Sequence, residues 1–312
     1  MNSESKKYGD TFHQANRQSF FSKKFLKDNI LTGHFYLVVY LILGAFCFFN
    51  FSACRPNSGR EEIIVAGSTS IQPFTDEWAE LFMEKDAKVV INVQGGGSSA
   101  GIMAVKEKTA DIGLSSRELK QDEKDLMEIT VAYDGLAIIV HPSNSVNNLS
   151  IEQVRSIFAG EITNWKILNS TDKTITVVVR EEGSGTRGAF QEMVMGQRRI
   201  SKKAIVEDSN GVVREIVSRD ENSIGFISLG LVNDRVKAIA LEGVRPSEEA
   251  IVKGEYGLRR PFLFLVLEEP RGLLKEFIDF VLSDEIQSRL PQEGLIPVKK
   301  IPADTGFERR EE

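Results

Sequence analysis

The chain has 312 residues, of which 41% are apolar and 27% charged, with 25 Gly and 9 Pro. That is a globular composition, long enough for one large domain or two, and it excludes a mainly disordered chain. Two cysteines, Cys47 and Cys54, exclude a disulfide scaffold or a cysteine-built zinc site; three histidines leave little for a His-rich metal site, and a net charge of −6 argues against a nucleic-acid binder.

The amino-terminal stretch differs from the rest. Lys6, Lys7, Arg17, Lys23, Lys24 and Lys27 precede an apolar run from Phe35 to Phe49. The run is shorter than the roughly 20 residues of a membrane helix and matches the apolar region of a secretion signal. Phe51-Ser52-Ala53-Cys54 follows. Small residues before a cysteine resemble the bacterial lipobox, which implies that Cys54 is lipidated and becomes the new amino terminus; Phe51 stands where Leu is usual. An uncleaved signal anchor is the alternative. Either way the basic flank stays inside and the body is exported to the periplasm or cell surface. Residues 1–54 are thus assigned to signal and lipobox, and 55–61 to a polar tether.

From Ile63 on, short apolar runs alternate with helical patterns. Strands are predicted at Ile63–Ala66, Val89–Val93 and Asp111–Leu114, with helices at Phe74–Lys85, Ile102–Lys108 and Gln121–Met127. This βαβ rhythm implies a parallel sheet with helices on both faces. Further strands are predicted at Gly135–Val140, Ile175–Val179, Ile224–Ile227, Val236–Leu241 and Phe262–Leu267. Further helices are predicted at Ile151–Phe158, Gly188–Met195, Val212–Ser218 and Leu273–Leu282, the first capped by Ser150 with Gln153 three residues on. So many units fit two α/β lobes with a cleft between them. The chain would cross near Tyr133–Gly135 and return near Gly257–Pro261, so that 62–135 with 259–303 form lobe I and 136–258 lobe II. A polar tail, 304–312, follows.

Four segments share one chemistry: Ala66-Gly67-Ser68-Thr69-Ser70; Gln94-Gly95-Gly96-Gly97-Ser98-Ser99-Ala100-Gly101; Gly113-Leu114-Ser115-Ser116-Arg117; and Arg180-Glu181-Glu182-Gly183-Ser184-Gly185-Thr186-Arg187. Each puts glycine and hydroxyl residues at the carboxyl end of a predicted strand, where ligands of open α/β sheets sit. Glycine lets main-chain amides approach a ligand, helix starts favour negative charge, hydroxyls donate, and Arg180 adds a cation. Together they would line a pocket for a small tetrahedral oxyanion. Taken singly, each reads first as a βα loop with a Ser or Thr cap; the four together shift the balance.

Two other patterns are present. Gly97-Ser98-Ser99-Ala100-Gly101 fits the G-x-S-x-G motif of hydrolases. Its relay would have to use Asp134 and His141, seven residues apart along one strand, which is a poor arrangement for a triad. The spacing Gly95-x-Gly97-x-x-Ala100 is a loose match to a dinucleotide fingerprint, and a lone match is weak.

The four segments occur in the order found in the phosphate-binding proteins of phosphate ABC transporters, and Ile157-Phe158-Ala159-Gly160-Glu161-Ile162-Thr163-Asn164-Trp165 resembles another segment of that family. The resemblance covers about residues 62–300. It implies an α/β fold, a type II periplasmic binding protein of two lobes that closes on phosphate, and no covalent chemistry and no cofactor. By motif position it implies that Thr69, Ser70, Ser98, Ser116, Arg180, Ser184, Gly185 and Thr186 bind phosphate. Longer members carry an Asp in the third segment, where this chain has Ser116. Asp134 is the candidate replacement: a carboxylate accepts the proton of hydrogen phosphate and leaves sulfate repelled. An ordinary turn Asp is the competing reading. Arg117 would pair with the ligand or with a carboxylate such as Asp134. Arg187 is a second cation or a solvated helix residue, and Asn164-Trp165 are assigned to core packing. Implied partners are the permease and ATPase subunits of an importer, and the membrane through the lipid anchor. A receptor for sulfate, molybdate or tungstate, and a sensory or adhesion protein on the same fold, are the alternatives.

Overall fold

The computed structural model describes residues 61–301. The signal, lipobox and tether expectations, with Cys54, lie outside those residues, as does the polar tail.

Strand β1 (Glu61–Gly67) pairs in parallel with β2 (Val89–Gly95) and β3 (Ile112–Ser115). Helices α1 (Gln72–Met83) and α2 (Ser98–Lys106) make the connections. The spacing of Phe74 and Trp78 puts both on the buried face of α1, where Trp78 packs 6.3 Å from Phe264.

The expected parallel pairing forms among β1, β2 and β3, and antiparallel strands extend the sheet beyond it. Strand β4 (Met127–Val140) has 14 residues, and β11 (Arg259–Val266) runs antiparallel to both β4 and β3. The predicted helix over Gln121–Met127 is only a 3-10 turn at Gln121–Glu123, after which β4 begins. The run Gln121-Asp-Glu-Lys-Asp125 has no apolar stripe to bury, and the Glu123 carboxylate turns back to accept from the Lys120 amide at 2.8 Å. Only Leu126 in this stretch reaches the interior.

The first half of β4 pairs with β11, and its second half, from Leu136, pairs with β8 (Ser223–Ser228). One long strand therefore runs through both parts of the sheet. Beyond β8 lie β6 (Thr176–Arg180) and β7 (Ile205–Glu207), both in parallel register; the short β9 (Lys237–Ala238) also lies on β4. The full order is β2-β1-β3-β11-β4-β8-β6-β7. A separate pair joins β5 (Asn148–Leu149) to β10 (Ala240–Leu241), so the predicted strand Val236–Leu241 is split between two partners.

Helices of the second part are α3 (Ile151–Ala159), α4 (Gly185–Phe190), α5 (Asn210–Arg219) and α6 (Glu248–Val252). The Ser150–Gln153 capping box forms in both directions, at 3.1 and 2.8 Å. The helix predicted over Gly188–Met195 starts earlier, as α4, and becomes a π-turn at Gln191–Met195. Helices α7 (Gly272–Val281) and α8 (Asp284–Gln287) return to the first part.

Each part has its own core. Phe74, Trp78, Phe262, Phe264 and Phe277 fill the first. Phe158, Phe190 and Phe226 fill the second, the last two rings stacked at 4.1 Å. Trp165 is fully buried there and donates its indole N–H to Asn222 O at 2.9 Å, while Asn164 caps the following turn through Lys166 N. Trp165 thus packs in the core, while half-buried Asn164 holds the adjoining turn.

Candidate functional site

The carboxyl ends of β1, β2, β3 and β6 bring all four hydroxyl-rich segments together. Ser68 Oγ donates to Ser116 Oγ at 2.8 Å, and Ser116 N donates to Ser98 Oγ at 3.1 Å. These contacts join the first, second and third segments. A left-handed φ of +88° at Gly97, suited to glycine, turns the chain so that Ser98 opens α2.

The fourth segment meets them from the other part of the sheet. Ser70 Oγ and Thr186 Oγ1 lie 2.7 Å apart, and Ser99 N donates to Gly183 O at 3.1 Å. A Cβ on Gly185 would stand 2.1 Å from Ser98 Oγ and 2.5 Å from Ser116 Oγ. No side chain fits at that position. Ser184 caps α4 by accepting from Arg187 N at 3.3 Å. Unbonded buried hydroxyls cost roughly 1–3 kcal/mol each; here they bond to one another.

Arg180, 1% exposed, ends β6. Its Nε and Nη2 each lie 3.0 Å from a Glu181 oxygen, and Nη2 also donates to Asp208 O at 2.8 Å and to Thr69 Oγ1 at 3.1 Å. Its Nη1 is buried without a hydrogen-bond partner among the described residues. A cationic donor left unpaired in a protein interior is costly unless a ligand completes it.

Residues that the sequence reading passed over complete the cluster. Arg260, at the start of β11, is 2% exposed. It donates to Asp134 Oδ2 through Nε at 2.9 Å and Nη2 at 2.8 Å, and to Ser116 O through Nη1 at 3.2 Å; Nη2 also lies 3.4 Å from Ser70 Oγ. Asn210, opening α5, donates to Ser70 Oγ at 2.9 Å. Arg260 lies opposite Asp134 in the β11–β4 register, so a strand pairing between residues far apart in sequence creates the contact. The sequence carried one usable signal, an arginine at the edge of an apolar strand.

Asp134 is fully buried. Burial pushes its carboxyl above the usual carboxylate range, against the opposing pull of the Arg260 charge and hydrogen bonds. Ser228 Oγ donates to its Oδ1 at 2.8 Å, and the Gly230 amide also bonds to it. With the two bonds from Arg260, these donors take up the roughly four acceptor positions of a carboxylate. In this arrangement Asp134 holds Arg260.

Arg117 does not enter the cluster. Its fork grips Glu123 at 2.7 and 2.8 Å. Burial works to raise the Glu123 carboxyl, but hydrogen bonds from Arg117 and the Lys120 amide, with the Arg117 charge, outweigh it and hold the group below its ordinary value. Arg187 donates to Arg180 O at 2.7 Å, so it braces the main chain of the site. His141 bonds Ser143, and Asp134 is engaged by other groups, so the residues of the hydrolase pattern form no relay. Among the described residues, no group of three or more His, Cys, Asp or Glu could hold a metal ion.

A family model described as a PBP superfamily domain matches residues 55–285. The phosphate-binding protein PstS of Bacillus subtilis is 33% identical over 287 residues, which span 88% of this chain and 95% of that protein. Its counterpart in Borreliella burgdorferi is 26% identical over 260 residues, spanning 79% and 93%. Among solved structures, a phosphate ABC transporter substrate-binding protein with bound phosphate from Clostridium perfringens superimposes with a TM-score of 0.74 at 41% identity, covering 76% of this chain and all of that one. An ABC-type phosphate transport receptor from Vibrio cholerae gives 0.65 at 38% identity over the same shares. The two-part mixed sheet, the buried hydroxyl cluster between its parts and these likenesses agree: the chain belongs to the PBP superfamily, among the PstS phosphate-binding proteins.

Proposed function

We propose that this protein is an extracytoplasmic receptor that captures inorganic phosphate and delivers it to the permease and ATPase of an ABC importer. The observation that carries the reading is Arg180 Nη1, a buried cationic donor without a partner among the described residues, set beside hydroxyls from four strand ends. A tetrahedral oxyanion has acceptors on every side and satisfies such a set of donors at once. The groups buried here include two guanidinium groups, Arg180 and Arg260, and one carboxylate, Asp134, which pairs with Arg260; the partly exposed Glu181 pairs with Arg180 at the margin, and Arg180 Nη1 remains to take an anionic guest.

In this reading Thr69, Ser70, Ser98, Ser116, Ser184, Gly185 and Thr186 supply hydroxyl and amide donors, Arg180 supplies charge, and Asp134 acts by orienting Arg260. Residues 62–135 with 259–303 form one lobe and 136–258 the other, with β4 crossing between them and the chain returning where β11 begins. Closure is favoured by the ligand because only the closed form makes all the contacts. Among the described residues no helix is long and apolar enough to cross a membrane; attachment is assigned to a lipid on Cys54.

Calorimetry with phosphate, arsenate, sulfate, molybdate and tungstate tests the reading. Phosphate is expected to bind tightly and sulfate weakly; tight sulfate or molybdate binding with no phosphate binding would overturn it.

A further inference from the structure

A contact outside the anion cluster joins the two parts of the sheet. Gly188 lies in α4, with its N–H donating to Ser184 O at 2.9 Å in the regular helical manner. A Cβ there would stand 2.7 Å from Arg117 Cδ and 3.4 Å from Arg117 Nε. Arg117 follows β3, on the other part of the sheet. Its stem lies flat across the helix, where a side chain would be. The arginine is not free to swing aside. Glu123 holds its fork at 2.7 and 2.8 Å, Glu118 O accepts from Nη1 at 2.9 Å, and the residue is only 6% exposed.

Glycine is a poor helix former and alanine the best, so local helix propensity alone would favour alanine at this position. The glycine is explained by the close approach of Arg117. The contact borders a surface groove of about 510 Å³ that Lys120 lines from one part and Arg187, Gln191 and Gly196 from the other. It therefore sits at the rim, apart from the buried hydroxyls and from Arg180.

We infer that Arg117, pinned by Glu123 and seated on Gly188, is a rim latch that sets how much of the protein is closed, and thereby its affinity, without touching the ligand. Apparent affinity scales with the population of the binding-competent form. The inference rests on the reading above for its two closing lobes, but its closure arm does not depend on which anion is bound. Ser99 N–H reports closure directly. It lies in the first turn of α2, where amides have no intrahelical acceptor, and it donates across to Gly183 O at 3.1 Å.

The test uses the full-length protein in mild detergent with Gly188→Ala, Arg117→Ala and the double variant. Hydrogen exchange at the Ser99 amide is measured without added anion, and phosphate affinity by calorimetry. Gly188→Ala is expected to speed Ser99 exchange at least tenfold and to weaken phosphate binding by a similar factor, while the melting temperature holds or rises. In the Arg117→Ala background, where the obstructing stem is gone, adding Gly188→Ala is expected to change either quantity less than twofold. Unchanged Ser99 exchange in Gly188→Ala, or an effect undiminished in the Arg117→Ala background, would overturn the latch. A parent protein that binds no phosphate would overturn the assigned ligand, while the exchange measurement would still decide the latch.

Discussion

Arg180→Ala is the most direct perturbation of the site. In the structure Nε and Nη2 are occupied by Glu181, Asp208 O and Thr69, while Nη1 has no partner among the described residues. Its two N–H bonds are the donors available to an anion. A hydrogen bond involving a charged group contributes about 1.5–3 kcal/mol, so two contribute about 3–6 kcal/mol. At about 1.4 kcal/mol per decade, that is a loss of roughly two to four orders of magnitude in affinity. Calorimetry with phosphate on the parent and variant reads the change, and a far-UV circular-dichroism melt confirms that the variant is folded. A folded Arg180→Ala protein binding phosphate within threefold of the parent would refute the reasoning, because Nη1 would then have no part in holding the ion.

Three further outcomes are expected. Gly185→Ala places a methyl 2.1 Å from Ser98 Oγ; phosphate binding is expected to be lost while circular dichroism stays native, and retained affinity would show that the hydroxyls can move apart. Asp134→Asn removes the counter-charge of a buried guanidinium, and breaking such a pair costs about 3–5 kcal/mol, so denaturant unfolding should show a loss on that order. An undiminished unfolding midpoint would mean that Arg260 finds another acceptor. Glu123 titrates below its ordinary 4.5 when folded. Its ion pair with Arg117 therefore contributes stability that is present above about pH 4.5 and lost as pH falls through the lowered value. The melting-temperature gap between the parent and Arg117→Ala is expected to narrow on acidification, and a gap that widens would contradict the sign.

Local patterning carried much of the architecture. The apolar runs of β1, β2, β6, β8 and β11 and the periodic faces of α1, α3 and α7 were legible because a strand buried on one face or on both, and a helix buried on one face, each leave their own local apolar pattern. The stretch 121–127 misled because a short charged segment has a weak preference that its neighbours override, here through Glu123 and the β11–β4 pairing. The four Gly–Ser–Thr segments could be recognised one by one, since glycine and hydroxyl groups at strand ends have a local chemistry that needs no partner to be seen.

Which groups those segments face is another matter. Arg260 meets Asp134, Asn210 meets Ser70, and Arg117 lies on Gly188 because of strand register and the approach of the two parts of the sheet. Such contacts join residues remote along the chain, and no window of sequence contains both members. The sequence by itself therefore determined the donor-rich strand ends and the class of guest they suit. The tertiary structure alone decided which buried charge offsets which and where the halves touch, because ion pairing and close packing depend on distance in space.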